Sequence, residues 1–155
     1  MATLDKAIRI AVQAHEGQLD RYGAPYILHP FRVMSRMHTE EEKMAAILHD
    51  VVEDSDWTLK ALGSEGFSAV VLKIVDDLTR RDKEDYMEYI ERLKPNAIAR
   101  RVKISDLEDN MDLRRLKKAS KKDVERLARY HEVWLMLKGL EESERIDELG
   151  AGLIP

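Results

Sequence analysis

His49 and Asp50 stand side by side between Ala45-Ala46-Ile47-Leu48 and Val51-Val52, a polar pair inside an apolar run. A carboxylate in such surroundings is costly unless it is paired or ligated. In a helix, neighbouring side chains about 100° apart can both bend toward one point at the helix edge, where a shared cation would satisfy them. Taken alone, the dipeptide fits better with a plainer arrangement, in which His49 bonds a backbone carbonyl and Asp50 pairs with an arginine. A second stretch repeats the anomaly. Ala99, Val102, Asp106, Asn110 and Leu113 recur at helical spacing, with polar residues in the middle of the stripe. Two misplaced acids point to one site. Together with the imidazoles of His29 and His49, Asp50 and Asp106 make a mixed nitrogen and oxygen set suited to Mn²⁺, Fe²⁺, Zn²⁺ or Ni²⁺, with positions left open for water and substrate.

Glu53 and Asp54 follow Asp50 by three and four residues, over the same helical face. Hydrolysis of a phosphate ester needs one group to orient or deprotonate water and another to protonate the leaving oxygen, and these two acids are candidates. Acids that end a helix are also commonly just a solvated pair. The other histidines suit a metal less. His15 ends a helix, and His38 and His131 lack an acidic partner on an apolar face.

The elements that position these residues follow from caps and breakers. Ala7, Ile10, Ala11 and Ala14 at helical spacing behind a Thr3 cap predict a helix from Leu4 to Ala14, stopped by Gly17. The segment GQLDRYGAPYILHP reads as an ordered loop leading into a helix begun by Pro30, which sets His29 at a helix entrance. Thr39 and Glu42 have capping-box spacing and open the helix carrying MAAILHDVVED. Further helices are expected over Thr58–Leu62, Ser68–Leu78, Asp85–Leu93, Asn96–Leu116 and Lys121–Glu142, with a frayed or lightly docked GAGLIP tail.

With 44% apolar and 36% charged residues but only four prolines and seven glycines, the composition favours long helices with charged outer faces, an all-α chain. No repeat, low-complexity tract or linker interrupts residues 1–155, so one domain is expected. The lack of cysteine excludes a disulfide scaffold, thiolate ligands and a cysteine nucleophile. A net charge of −4 argues against nucleic acid as the main partner. The basic cluster Arg114, Arg115, Lys117, Lys118, Lys121 and Lys122 reads as a solvated helix end, though part of it could serve a small anion. No apolar run approaches the roughly 20 residues of a membrane span, and a cytoplasmic location without membrane attachment is the expectation.

The segments YILHP, AAILHDVVED and VKISDLEDNM resemble successive motifs of the HD hydrolase domain in Rel/SpoT-type alarmone enzymes and small alarmone hydrolases, over most of the chain. The resemblance implies a compact multi-helix HD-domain bundle and Mn²⁺ held by His29, His49, Asp50 and Asp106. It also implies Glu53 and Asp54 in water activation and proton transfer, and Asn110 in the wall of a nucleotide pocket. The reaction implied is hydrolysis of the 3′-diphosphate of guanosine 3′,5′-bis(diphosphate) or its pentaphosphate, releasing pyrophosphate. The last helix resembles that of the animal SpoT homologue, which implies that Arg126 and Tyr130 approach substrate phosphate. Their four-residue spacing puts both on one face.

The chain departs from the family in the pocket wall. Asp20 precedes Arg21 where a basic pair is usual, so only Arg21 is carried over as a substrate contact; Leu107, Glu108 and Asp109 lead to Asn110, and Asp112 follows. Extra acid near a polyphosphate is unfavourable, which leaves adenosine analogues as open as guanosine ones. Two other functions fit the same residues: an HD phosphohydrolase acting on another phosphorylated nucleotide or metabolite, and a non-catalytic nucleotide-sensing module. Glu53 and Asp54 favour the enzymes, since a binder has no need of them. Oligomeric state is open.

Overall fold

The computed structural model describes residues 1–151 of the chain, with side-chain surroundings through Asp147; residues 152–155 of the GAGLIP tail lie outside it. Nine α-helices and one 3₁₀ turn make up the described residues, which contain no strand beyond an isolated Leu19–Pro25 bridge. The helices are α1 (Leu4–Ala14), α2 (Leu28–Ser35), α3 (Glu40–Leu48), α4 (Val51–Asp54), α5 (Leu59–Ser64), α6 (Ala69–Leu78), α7 (Tyr86–Leu93), α8 (Ala97–Asn110) and α9 (Lys121–Ala151). The 3₁₀ turn spans Leu113–Arg115, between α8 and α9.

Local chemistry sets most boundaries. Thr3, Thr58 and Ser68 each accept the backbone N–H three residues on, and Asn96 accepts two N–H groups at the start of α8. Thr39 with Glu42, and Asp85 with Glu88, form complete capping boxes. Gly17, at φ 76°, takes the left-handed conformation that turns the chain out of α1.

α3 is the axis of the bundle. Ala45 and Ala46 face one apolar cluster with Val33, Ile74, Ile90, Val102 and Leu137, while Met44, Ile47 and Leu48 face another with Ile10, Val51, Leu62 and Val71. The paired alanines let α2, α6 and α8 approach closely on one side. The larger side chains fill the other, each contributing about 1.5–3 kcal/mol through burial.

Four expected boundaries differ. α2 begins at Leu28, two residues before Pro30, so His29 lies inside its first turn. The helix expected to run through MAAILHDVVED breaks at His49 and Asp50, which cap α3 and α4. The helix expected to reach Leu116 ends at Asn110, because the Asp112 carboxylate accepts the Arg114 N–H and starts the 3₁₀ turn instead. Leu113 therefore leaves the stripe assigned to it and is 41% exposed. α9 runs on past Glu142, where nothing in the sequence stops it before Gly150.

Candidate active site

The break between α3 and α4 shapes the centre. At the end of α3 the His49 Nδ1 bonds the Ala46 carbonyl at 2.6 Å, which commits its proton there and turns Nε2 inward. Nε2 lies 3.0 Å from Asp50 Oδ2 and 3.7 Å from Asp106 Oδ1, yet it is a buried atom with no hydrogen-bond partner among the described residues. A buried nitrogen lone pair surrounded by carboxylate oxygens is suited to a cation. His29 is arranged in the same way. Its Nδ1 bonds Asp109 Oδ2 at 2.7 Å, and its Nε2 lies 3.1 Å from Asp106 Oδ1 and 3.6 Å from Asp50 Oδ2.

One ligand atom each from His29, His49 and Asp50 falls within 4.8 Å of the others. Asp106, on α8, brings a second carboxylate to the same point, its Oδ1 3.1 Å from His29 Nε2 and 3.7 Å from His49 Nε2. Its Oδ1 accepts from Asn110 Nδ2 at 2.6 Å and its Oδ2 from Lys103 Nζ at 2.8 Å. Tyr26 donates its hydroxyl to Asp50 Oδ2 at 2.5 Å. Both carboxylates keep their charge. Burial opposes ionisation of Asp50, but His49 outweighs it; at Asp106 the Lys103 ammonium and both imidazoles do the same, so each sits below the usual carboxylate range. His29 and His49 are correspondingly raised above an ordinary imidazole, their burial outweighed by these acids. Two anions and two inward nitrogens fit a divalent cation with an open coordination position.

Glu53 and Asp54 sit one turn beyond Asp50 on α4. Glu53 accepts the Arg80 backbone N–H, and Gln18 Nε2 donates to the Asp54 carbonyl at 2.7 Å. Both carboxyls are raised above their ordinary values, first by partial desolvation and then by the negative charge of Asp50. Carboxyls raised in this way are candidates for proton transfer.

Two cavities flank the cluster. One, of about 350 Å³, is lined by His49, Asp50, Glu53 and Asp106 together with Arg80, Tyr86, Lys103, Arg129 and Tyr130. The other, of about 360 Å³, opens across His29 and is lined by Arg21, Tyr22, Tyr26, Asn110, Arg115 and Arg126. Arg21, Asn110 and Arg126 also line the second cavity and Tyr130 the first, and all four of these expected substrate contacts border one narrow cleft together. Arg21 is paired with Asp123 at 2.9 Å, and Asn110 holds Asp106. His38 and His131 are exposed and outside both cavities.

Sequence reasoning missed Asp109, Tyr26, Lys103 and Tyr86. Asp109 was read only as unwanted acid near a phosphate. It is 2% exposed and holds His29, with Arg32 bidentate at 2.7 and 2.9 Å and Arg115 at 3.4 Å, so its charge is spent internally. Its place three residues after Asp106, on the same side of α8, was the available signal. Asp20 likewise accepts the N–H groups of Tyr22 and Ala24 and pairs with Arg115, while Asp112 holds Arg114.

Comparison with known proteins adds relatives. A guanosine-3′,5′-bis(diphosphate) 3′-pyrophosphohydrolase of Haemophilus influenzae is 47% identical over 78 residues, covering 48% of this chain and 11% of that protein. A probable GTP pyrophosphokinase of Mycobacterium leprae is 39% identical over 87 residues, covering 54% of this chain and 11% of that protein. The matched segment is therefore about a tenth of the length of these relatives. A solved structure of a metazoan ortholog of SpoT that hydrolyzes ppGpp matches 93% of this chain and 96% of its own with a TM-score of 0.72 at 22% identity, a likeness of fold. The HD-domain profile matches residues 7–132, from α1 into α9 and through each of the four residues that ring the centre, and on that match the chain belongs to the HD-domain family.

Proposed function

We propose that residues 1–155 act as one Mn²⁺-dependent phosphohydrolase unit in the cytoplasm, removing the 3′-diphosphate of a guanosine or adenosine 3′,5′-bis(diphosphate). The observation that carries this is the orientation of the two imidazoles. With Nδ1 of His29 on Asp109 and Nδ1 of His49 on Ala46, both Nε2 atoms turn toward Asp50 and Asp106. His29, His49, Asp50 and Asp106 would hold the ion, which when bound supplies a Lewis acid and lowers the pKa of water. The relatives named as 3′-pyrophosphohydrolases support the reaction class. The acids of the pocket wall, neutralised by arginines, leave the substrate cavities open to a polyphosphate.

The chemistry asks little of the chain beyond proton management and positioning. Water attacks the phosphorus bonded to ribose O3′, that P–O bond breaks, O3′ takes a proton, and diphosphate departs with the oxygen of the water. Glu53, in the wall of the 350 Å³ cavity, takes the proton of the attacking water in this reading. Asp54, anchored through its carbonyl by Gln18, is the donor to O3′. Arg21, Asn110 and Arg126 would receive the nucleoside and its 5′-phosphates.

The test is pyrophosphate release from guanosine and adenosine 3′,5′-bis(diphosphates), with and without Mn²⁺, in wild type and Asp50→Ala. Metal-dependent release that vanishes in the variant is expected, and its ratio between the two bases gives the preference. No release from either nucleotide would overturn the assignment of substrate.

A further inference from the structure

The 350 Å³ cavity contains a group of donors that the hydrolytic residues do not account for. Lys103 projects from α8 with its side chain 13% exposed, its Nζ on Asp106 Oδ2 and 5.8 and 5.2 Å from the ring centroids of Tyr86 and Tyr89. The aromatic faces here are thus occupied by a cation. Tyr89 donates its hydroxyl to the Leu78 carbonyl, which fixes the ring as a wall. Tyr86, at the first position of α7, differs: its hydroxyl is buried and has no hydrogen-bond partner among the described residues. A buried phenol costs free energy unless something accepts from it, and the cavity it lines is the space in which an acceptor would sit. Arg129 borders the same space from α9 and makes no ion pair among the described residues.

These features define an acceptor-hungry chamber that Arg21 and Asn110 do not line. Its donors are the Lys103 ammonium, the Arg80 and Arg129 guanidiniums and the Tyr86 and Tyr130 phenols, with the His49 imidazole and the carboxylates of the centre beside them. Phosphoryl oxygens match that donor set.

Building on the proposed reaction, we propose that this chamber is the subsite for the departing diphosphate, with the Tyr86 hydroxyl and Arg129 guanidinium as its direct contacts and Lys103 as the fixed charge behind it. The nucleoside then lies across His29 in the second cavity. Cleavage occurs between the two chambers. Tyr86 is a specificity residue in this arrangement, recognising the second phosphate of the leaving group.

The test is calorimetric titration of inorganic pyrophosphate and, separately, of guanosine 5′-diphosphate into Mn²⁺-loaded wild type, Tyr86→Phe and Arg129→Gln. Because the Tyr86 hydroxyl bonds none of the described residues, the phenylalanine variant is expected to melt as wild type does, and Arg129 is on the exposed face of α9. Pyrophosphate affinity should fall about tenfold in each variant, the loss of one hydrogen bond to a charged group, with guanosine 5′-diphosphate affinity unchanged. Unchanged pyrophosphate affinity in Tyr86→Phe overturns the assignment, as does an equal loss for both ligands, which would put the nucleoside in this chamber. If wild type binds pyrophosphate in a Tyr86-dependent way but cleaves no 3′-diphosphate, the anion subsite stands and the proposed reaction falls. Turnover with Tyr86-independent pyrophosphate binding has the opposite meaning.

Discussion

Asp109 Oδ2 lies 2.7 Å from His29 Nδ1, a contact between α8 and α2 that fixes which nitrogen of the ring faces the centre. The same carboxylate is gripped by Arg32, so the acceptor is itself held in place. Supporting partners of this kind set ligand orientation and basicity, and their loss typically weakens metal binding by about 10–100-fold. Asp109→Asn should weaken Mn²⁺ binding by a factor in that range, read by titration of the ion. Melting in the presence of a chelator reports separately on the lost Arg32 contact, and full ion affinity in the variant would remove Asp109 from this role.

Asp50 and Asp106 carry the negative charge of the centre. Asp50→Ala and Asp106→Ala are each expected to abolish turnover and ion retention, whereas His131→Ala, on an exposed ring stacked against Trp134, should alter neither. Parallel activity assays and metal analysis of purified protein check this. Normal activity in the Asp106 variant would exclude a four-residue ligand set.

Gln18 acts at a distance from the ion. Its Oε1 accepts from His15 Nδ1 at 2.9 Å, and its Nε2 donates to the Ala14 and Asp54 carbonyls, tying α4 to the end of α1. Gln18→Ala should lower kcat on the order of tenfold through misplacement of α4, with Mn²⁺ affinity within error of wild type. A fall in ion affinity to the same degree would show that the contact organises the whole centre and not the acid pair.

Glu42 offers a pH test remote from the site. Burial opposes its charge, but the Thr39 and His38 N–H groups and the Arg101 guanidinium outweigh that, so its carboxyl sits below the ordinary value. The stability it contributes is complete above the unfolded carboxylate value of about 4.3 and is lost as pH falls through the lower folded value. Urea unfolding of wild type and Glu42→Gln from pH 7 downward should show a wild-type advantage of about 1–3 kcal/mol at neutrality that narrows below about pH 4.3. Parallel curves throughout would assign the effect to packing.

Leu48 is fully buried at the end of α3, one residue before the centre. Leu48→Ala should cost about 2–5 kcal/mol in denaturant unfolding. Saturating Mn²⁺ should recover part of that loss, because an ion that binds only the folded state adds stability with concentration.

Where the sequence carried its own stop and start signals, the fold was legible. Thr3 and Ala14 bound α1 as expected, and the Thr39 and Glu42 capping box opens α3. The end of α8 was not legible, since apolar spacing continues to Leu116 and only the turn made by the Asp112 side chain interrupts it. At the centre, His49, Asp50 and Asp106 announce themselves as polar residues on apolar helices. Tyr26, Lys103 and Asp109 do not, because a loop tyrosine, a helical lysine and a helical aspartate are ordinary in sequence. Their roles arise from which element lies opposite in space. The restraint on the acids of the pocket wall likewise depends on Arg32, Arg114 and Arg115, whose partners no spacing rule identifies.

The two apolar clusters meet at α3, with alternate faces of the same five residues, Met44 to Leu48, shared between them. The amide protons of this segment then have no local route to solvent, and their exchange with deuterium should be as slow as global unfolding permits. Since His49 and Asp50 follow directly, the centre is mounted on the last part of the molecule to open, and release of a bound ion need not wait on, or assist, fluctuations of the peripheral helices.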